Sequence, residues 1–343
     1  MDLRASDLRP WLVQRVRGAS IVPASMAVTT ALVALALLGA AGPGHAADPY
    51  PSRPVRLLVP FAPGGIFDFV GRLASPKLSE SIGQSVIVDN RPGGGGVIAM
   101  QTAANAIADG YTVLLADPSL VINLHLQQDP KYRLKDLAAV TIFTTASLVL
   151  AVNSKVPAKS ARELADLSKT AKLAYGSAGL GSTPHMAGEL FNARAKLDIL
   201  HVPFKGVGPA VTAVIAGQVQ LVFGSLAGTE AFIRDGRLRG LATTGEKRSP
   251  ALPDLPTLVE AGFPGVVVSV WGGIFVPVAT PAPIVSRLNA EFVKVLREPE
   301  VRAGLEKAAI EPLGTTSKEA AVFVEREYLK WGEVIRAAKI KAE

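Results

Sequence analysis

Short β-branched segments that alternate with glycine loops and helical stretches most limit what this 343-residue chain can fold into. One series occupies residues 55–116, and a similar series occupies residues 173–223. Each series reads strand, glycine loop, helix, strand, glycine loop, helix, strand, with spacings that differ by a few residues. Such alternation is typical of parallel sheets covered by helices, so the sequence predicts an α/β fold with two lobes.

Two further apolar segments, residues 141–152 and 266–278, are predicted to connect the lobes as two crossing strands with a hinge. After Pro281 the pattern is mostly helical, and the last helix, residues 318–339, is predicted to pack across both lobes. The predicted boundaries are residues 47–145 plus 272–343 for lobe I and residues 146–271 for lobe II. Because ligands of open α/β sheets bind outside the carboxyl ends of the strands, we expect a ligand in the cleft between the lobes.

The N-terminus carries the pattern of an export signal. Four arginines precede an apolar run over residues 21–41, and Gly44 and Ala46 place small residues at the two cleavage-recognition positions. We interpret residues 1–46 as a secretory signal peptide that is cleaved after Ala46. The alternative is a membrane anchor, because a run of this length could span a bilayer.

Composition excludes several classes of function. The chain has no cysteine, which removes disulfides, thiolate zinc sites, iron–sulfur clusters and cysteine nucleophiles. Removing residues 1–46 takes away four Arg and two Asp, so the formal charge falls from +7 to +5. No cluster of five or more Lys and Arg is present, and we therefore expect no nucleic-acid partner.

Catalytic and cofactor motifs are equally scarce. Tyr175 stands where a Gly-x-Ser-x-Gly elbow around Ser177 would need its first glycine, and the chain contains no Walker loop and no His-Glu-x-x-His. His125, His185 and His201 lie at no metal-ligand spacing, so we predict no metal and expect each to form hydrogen bonds at the surface or in a loop. Residues 94–99 match a dinucleotide fingerprint only in part, without its acidic residue, and we predict no cofactor.

Two glycine loops at strand ends could hold an anion. Gly64 and Gly65 lie between a strand and a helix, where free backbone amides and the helix dipole favour a carboxylate. Residues 177–183 precede another helix and add hydroxyl groups. For each loop alone, tight-turn geometry is the alternative, but the same arrangement in both halves favours a binding role.

Nine stretches carry a resemblance to a known family. They include VPFAPGGIFD at residues 59–68, DNRPGGGG at 89–96, YGSAGLGS at 175–182 and HVPFKG at 201–206. The others are residues 50–56, 108–112, 156–160, 247–254 and 260–264, with His185. In this order residues 50–341 resemble the Bug (TctC-like) family of extracytoplasmic solute-binding receptors, the binding components of tripartite tricarboxylate transporters.

The resemblance implies a periplasmic-binding-protein (Venus flytrap) fold in a monomeric, non-catalytic periplasmic protein. It would close over a small carboxylate and deliver it to the membrane subunits of such a transporter, or to a sensor. The ligand-binding residues carried over are Phe61, Gly64, Gly65 and Asp68 in the first loop, Ser177, Gly179, Ser182 and Thr183 in the second, and Lys205 and Gly206 in the third. Asp68 would bind water or a ligand amino group, or would only tie down loop amides. The alternative function is an exported α/β enzyme acting on small organic acids, which would need a nucleophile–base pair.

Two departures from the family pattern bear on the ligand. Ile66 and Phe67 stand where the family usually has a small residue and Thr or Ser, and Gly224 stands where an acid is common. A polar ligand group buried without a partner costs about 1–3 kcal/mol. We therefore expect a carboxylate with an apolar or aromatic body, lined by Phe67, Phe204 and Trp271, although each of these could equally belong to the core.

Overall fold

The computed structural model describes residues 50–249 and 252–341. The predicted signal peptide, residues 1–46, lies outside the described residues. Within the described ranges no helix is both long and apolar enough to cross a membrane.

The described residues form ten strands and ten α-helices. The strands are β1 (Val55–Val59), β2 (Val86–Asn90), β3 (Thr112–Ala116), β4 (Leu137–Asn153), β5 (Ala174–Ser177), β6 (Leu200–Pro203), β7 (Leu221–Ser225), β8 (Leu238–Thr243), β9 (Ser269–Pro277) and β10 (Ile310–Pro312). The helices are α1 (Ile66–Ile82), α2 (Val97–Ala104), α3 (Ser119–Leu126), α4 (Ala161–Leu167), α5 (Thr183–Ala195), α6 (Val207–Ile215), α7 (Leu226–Arg234), α8 (Ala282–Val295), α9 (Pro299–Lys307) and α10 (Ser317–Ala338).

The strands form two half-sheets that share β4. Their order is β2-β1-β3-β9-β4-β7-β5-β6, and β8 and β10 also pair with β4. β1 is parallel to β2 and β3 in the first half, and β5 is parallel to β6 and β7 in the second. The predicted two-lobe α/β fold is confirmed, since each half repeats parallel strands linked by helices.

Both predicted connecting segments, residues 141–152 and 266–278, run between the halves. β4 itself belongs to both halves, because its first part pairs with β9 and its part from Leu148 onward pairs with β7 and β8. β9 pairs only within the first half, and just before it Val268 donates a backbone hydrogen bond to Thr244 of the second. The exact lobe boundaries stay a prediction.

The predicted long C-terminal helix is α10. Its start is fixed by a capping box in which Thr316 and Glu319 bond each other's backbone amides. The helix buries Val324, Trp331 and Ile335, and it packs on β4 and α3 of the first half and on α5 of the second. This packing across both halves follows from a periodic apolar face on a helix of 22 residues.

The topology brings several helix N-termini to one place. Parallel strands present their carboxyl ends on the same edge of a sheet. At that edge a short loop or a helix follows directly after each of β1, β3, β5, β6 and β7. The loops after β1, β5 and β6 contain glycine, and those after β1 and β6 meet between the two half-sheets.

Candidate functional site

A small cavity lies where the strand ends of the two halves meet. Its volume is about 20 Å³. Most of its lining is apolar or backbone, and none of the lining residues, all within the described ranges, is Lys, Arg or His. The lining residues are Phe61, Ala62, Gly65, Ile66, Phe67, Asp68, Asp117, Leu148, Ala178, Thr183, Pro184, Val207, Ser225 and Val270.

Four helices begin at this cavity. The N-cap residues of α1 and α6 are Gly65 and Gly206, and neither helix has a side-chain cap. α5 and α7 are capped by Ser182 and Ser225, whose hydroxyls accept the backbone N–H of His185 and Gly228. The first N–H groups of a helix lack partners within the helix and carry partial positive charge. The uncapped starts of α1 and α6 therefore offer a ligand carboxylate main-chain donors.

The first loop is held by Asp68. Its Oδ2 atom accepts a hydrogen bond from the Gly64 amide at 3.2 Å, and its Oδ1 atom pairs with Arg72 Nε at 2.9 Å. Gly64 has φ of +91°, a backbone conformation that favours glycine. This contact corresponds to the second role considered for Asp68, bracing a loop amide, although its side chain also lines the cavity.

The first loop closes against the loop after β6. The Ala62 amide donates to the Lys205 carbonyl at 3.0 Å, so Lys205 contributes its backbone at this contact. A Cβ atom on Gly206 would lie 3.0 Å from the Ala62 nitrogen, and one on Gly208 would lie 2.7 Å from the Pro63 carbonyl oxygen. These glycines let the two halves approach to backbone contact.

A second contact between the halves involves the glycine run after β2. Gly93 to Gly96 all have positive φ, and a Cβ atom on Gly95 would lie 1.7 Å from the Leu180 carbonyl oxygen. In the opposite direction, a Cβ atom on Gly179 would lie 3.2 Å from the Gly95 nitrogen. Gly179, predicted as a ligand-binding residue, therefore takes part in a contact between the halves.

Asp117 is the charged lining residue that the sequence analysis did not select as a ligand-binding residue. It follows β3 directly and is 1% exposed. Its Oδ1 atom accepts hydrogen bonds from the amide and hydroxyl of Ser119, and its Oδ2 atom accepts the Thr183 hydroxyl at 2.8 Å from the other half. Burial raises its pKa to about 6, against the opposing effect of these hydrogen bonds. Its position at the end of a parallel strand was the signal available in the sequence.

Ser177 lies behind the cavity and pairs with a histidine. Its hydroxyl is 2.6 Å from His201 Nε2, accepts the Gly179 amide at 3.0 Å and lies 3.3 Å from the Gly179 carbonyl oxygen. We expected His185 and His201 to form hydrogen bonds at the surface or in loops. The expected location is wrong, because both residues are buried. The two rings are buried and their centroids are 4.2 Å apart.

The aromatic residues predicted to line the site divide into three groups. Phe61 and Phe67 line the cavity with ring centroids 6.4 Å apart. Phe204 instead packs over Gly176, whose added Cβ atom would lie 3.3 Å from its ring. Trp271 does not line the cavity, because it points toward α10 and its Nε1 donates to Glu327 at 3.1 Å. Its neighbour Val270 faces the cavity, as alternation along a strand requires.

The predicted residues thus come together in part. Gly65 and Thr183, from opposite halves, line one cavity with Phe61, Phe67 and Asp68. Gly64, Gly179, Lys205 and Gly206 form the adjoining contacts, and Ser177 and Ser182 shape the second loop. An acid at Gly224 would not fit this packing, since its Cβ atom would lie 2.6 Å from the Thr229 methyl group. The structure holds no group of three or more potential metal ligands within the residues that it describes.

Two α/β halves that close uncapped helix N-termini around a shared cavity are typical of solute-binding receptors. Residues 70–340 match the model of the tripartite tricarboxylate transporter family receptor, and the chain belongs to this family. Among curated relatives, a protein in the tcbD-tcbE intergenic region of Pseudomonas sp. (strain P51) is 38% identical, over 90% of this chain and 94% of its own. BugT of Bordetella pertussis is 35% identical, over 90% and 96%.

Solved structures of similar proteins agree with this assignment. The periplasmic binding protein BugD has a TM-score of 0.83 at 29% identity, covering 86% of this chain and all of its own. An R. palustris protein solved with adipate has a TM-score of 0.82 at 33% identity, over 85% and 99%. MatC from Rhodopseudomonas palustris, with bound malate, has a TM-score of 0.80 at 31% identity, over 83% and 100%.

Proposed function

We propose that this protein is a periplasmic solute-binding receptor that captures a small carboxylate with an apolar or aromatic body. It would act as a monomer, leave the ligand chemically unchanged and deliver it to the membrane subunits of a tripartite tricarboxylate transporter or to a sensor. The observation that carries this proposal is the cavity between the halves, where the uncapped N-termini of α1 and α6 meet a mainly apolar lining.

The two parts of the cavity would bind two parts of the ligand. Each helix N-terminus stabilises an anion by about 0.3–1 kcal/mol at the surface and by up to about 2 kcal/mol when partly buried. The carboxylate would accept the first amides of α1 and α6, near Gly65 and Gly206. The ligand body would pack on Phe61, Ile66 and Phe67 of the first half, where each buried CH₂ contributes about 0.8 kcal/mol. Adipate, which accompanies one structural relative, has such a body.

Binding requires the halves to open and close again. A space of about 20 Å³ has room for about one water molecule. A dicarboxylate would therefore enter only when the two halves separate. This hinge closure around a ligand is the behaviour that β4 permits, since this one strand runs through both halves.

The enzyme alternative has one geometric argument in its favour, the Ser177–His201 pair. The pair differs from a catalytic one because the Ser177 side chain is fully buried, already makes three hydrogen-bonding contacts with Gly179 and His201, and does not line the cavity. A nucleophile must reach the reacting atom of its substrate. We therefore propose that this pair holds the second loop and that the protein is not an enzyme.

Native mass spectrometry of the freshly purified protein is the most direct test, because a captured ligand would add its mass to the chain. A thermal-shift screen with adipate, malate, citrate, glutamate and an aromatic carboxylate would follow. We expect stabilisation by acids with an apolar body. Stabilisation only by citrate or glutamate would contradict the proposed ligand class, and conversion of a bound acid during incubation would contradict the receptor function.

A further inference from the structure

Asp117 places a second acidic group in a cavity that is proposed to hold an anion. Its side chain lines the cavity together with Asp68, but only Asp68 has a cationic partner, Arg72. The hydrogen bonds that Asp117 receives come from Ser119 and Thr183, which are neutral. A ligand carboxylate in the same small space would therefore meet a buried charge that no cation of the lining balances.

Three titratable groups bear on Asp117, and none of them adds positive charge near neutral pH. Asp68 lines the same cavity, His185 lies on the helix that begins with Thr183, and Tyr132 interacts electrostatically with Asp117. Burial, and the neighbouring ring of His201 to a smaller extent, lower the pKa of His185 to about 3, so this ring is neutral. Tyr132 donates its hydroxyl to the Leu120 carbonyl, and burial and Asp117 raise its pKa further above the usual range.

Two carboxylates confined at close range cannot both ionise without a large electrostatic cost, so such pairs share a proton. Asp117 is already poised for this change, because burial raises its pKa to about 6 before any ligand charge arrives. A neutral Asp117 also gains a function, since a protonated carboxyl group donates a hydrogen bond whereas a carboxylate only accepts. That donor would replace the cation that the lining lacks.

We propose that Asp117 takes up one proton when a carboxylate ligand binds, and that its protonated carboxyl group donates a hydrogen bond to the ligand. The proton is then a co-ligand of the cavity. This inference rests on the proposed function, because it requires an anionic ligand at this site. It predicts that affinity falls about tenfold for each pH unit above the pKa of Asp117 in the unliganded protein, until the higher pKa of the complex is reached.

Isothermal titration calorimetry with adipate and malate tests the inference. The full chain lacking only residues 1–46 is titrated at pH 6, 7 and 8 in phosphate, and again at pH 8 in Tris, whose ionisation enthalpy differs from that of phosphate. We expect an uptake of about one proton per ligand at pH 8 and an affinity about tenfold lower at pH 8 than at pH 7. The Asp117→Asn variant, which keeps the size and a permanent donor, is expected to bind without proton uptake and independently of pH.

The control is Asp136→Asn, an acid outside the cavity, which should keep the proton uptake of the unmodified protein. Binding of either acid without proton uptake, or unchanged uptake in Asp117→Asn, would overturn the inference and leave the receptor function standing. If Asp117→Asn does not fold, the buffer comparison and pH series on the unmodified protein decide the question alone. A protein that binds none of the screened carboxylates at either pH 5.5 or pH 8 would overturn the proposed function and this inference together.

Discussion

Replacing Gly95 by alanine tests whether contact between the two glycine loops controls closure. The Cβ atom of Gly95→Ala would lie 1.7 Å from the Leu180 carbonyl oxygen, and the obstacle is backbone that cannot rotate away. The separation must grow by about 1.3 Å to reach 3.0 Å, the shortest that real Cβ contacts show. Gly94→Ala is the matched control, because its φ of +58° is close to the +62° of Gly95 and its nearest atom is 3.4 Å away.

The size of the effect follows from what the separation breaks. Both variants share the cost of placing alanine in the left-handed region, about 1 kcal/mol. Only Gly95→Ala also moves the halves apart, which stretches the bonds from Thr183 to Asp117 and from Ala62 to Lys205 beyond hydrogen-bonding distance. Each such bond contributes about 0.5–1.5 kcal/mol, so the closed state loses about 1–3 kcal/mol. This loss corresponds to a ligand affinity about 5- to 150-fold weaker.

Calorimetric affinity for the best carboxylate of the screen is the measurement, with small-angle X-ray scattering to follow closure. We expect Gly94→Ala to bind within about twofold of the unmodified protein, and Gly95→Ala to bind more weakly and to remain more extended when saturated. Equal affinities for the two variants would refute the steric argument. If the two affinities were equal and both weaker than that of the unmodified protein, backbone conformation, and not contact between the halves, would set the effect.

Three further predictions concern the cavity, the core and the buried histidines. Gly65→Trp should abolish carboxylate binding while the protein stays folded, since a Cβ there meets no atom within 4 Å and its φ is negative; Val278→Trp, at an exposed site, should bind normally in the same titration. Trp271→Phe should lower the free energy of unfolding in urea by about 1–3 kcal/mol through the lost indole bond and leave affinity unchanged; a large loss of affinity would contradict its position outside the cavity. Burial lowers the pKa of His201 to about 4, so its contribution to stability is complete above the ordinary value of about 6.5 and is lost as the pH falls toward 4. His201→Gln should therefore weaken the decline in melting temperature between pH 6.5 and 4, and an unchanged decline, matching that of His125→Gln, would contradict the role of burial.

The sequence pattern was sufficient to predict the architecture because the relevant signals are local. β-branched runs, glycine loops and apolar periodicity specify strands, turns and helices within about twenty residues. They correctly predicted two α/β halves, and they predicted that Gly65 and Thr183 would face one cleft. The rule that ligands bind at the carboxyl ends of parallel strands then needed only the order of the elements.

What the sequence did not supply was the pairing of residues across the halves. Asp117 and Thr183 are 66 positions apart, and nothing near either one identifies the other as its partner. Which face of a strand turns toward the cleft also depends on register, so Val270 and its neighbour Trp271 could not be told apart before the pairing of β9 was known. The burial of the Ser177–His201 pair depends on the packing of β5 against β6 and was hidden for the same reason.

The loops that we propose to bind the ligand also make the contacts between the halves, and this double role constrains how selective the receptor can be. The segment that carries Gly65 also contacts the backbone of Lys205, and the loop that carries Thr183 also contacts Gly95. A ligand shifts the open–closed equilibrium only by the difference between its affinities for the two states. An acid that fits poorly therefore loses twice, since it makes fewer contacts of its own and also holds the glycine loops apart. Under the proposed function, shape exclusion at the glycine contacts would therefore discriminate among carboxylates even though the lining residues present no cationic side chain.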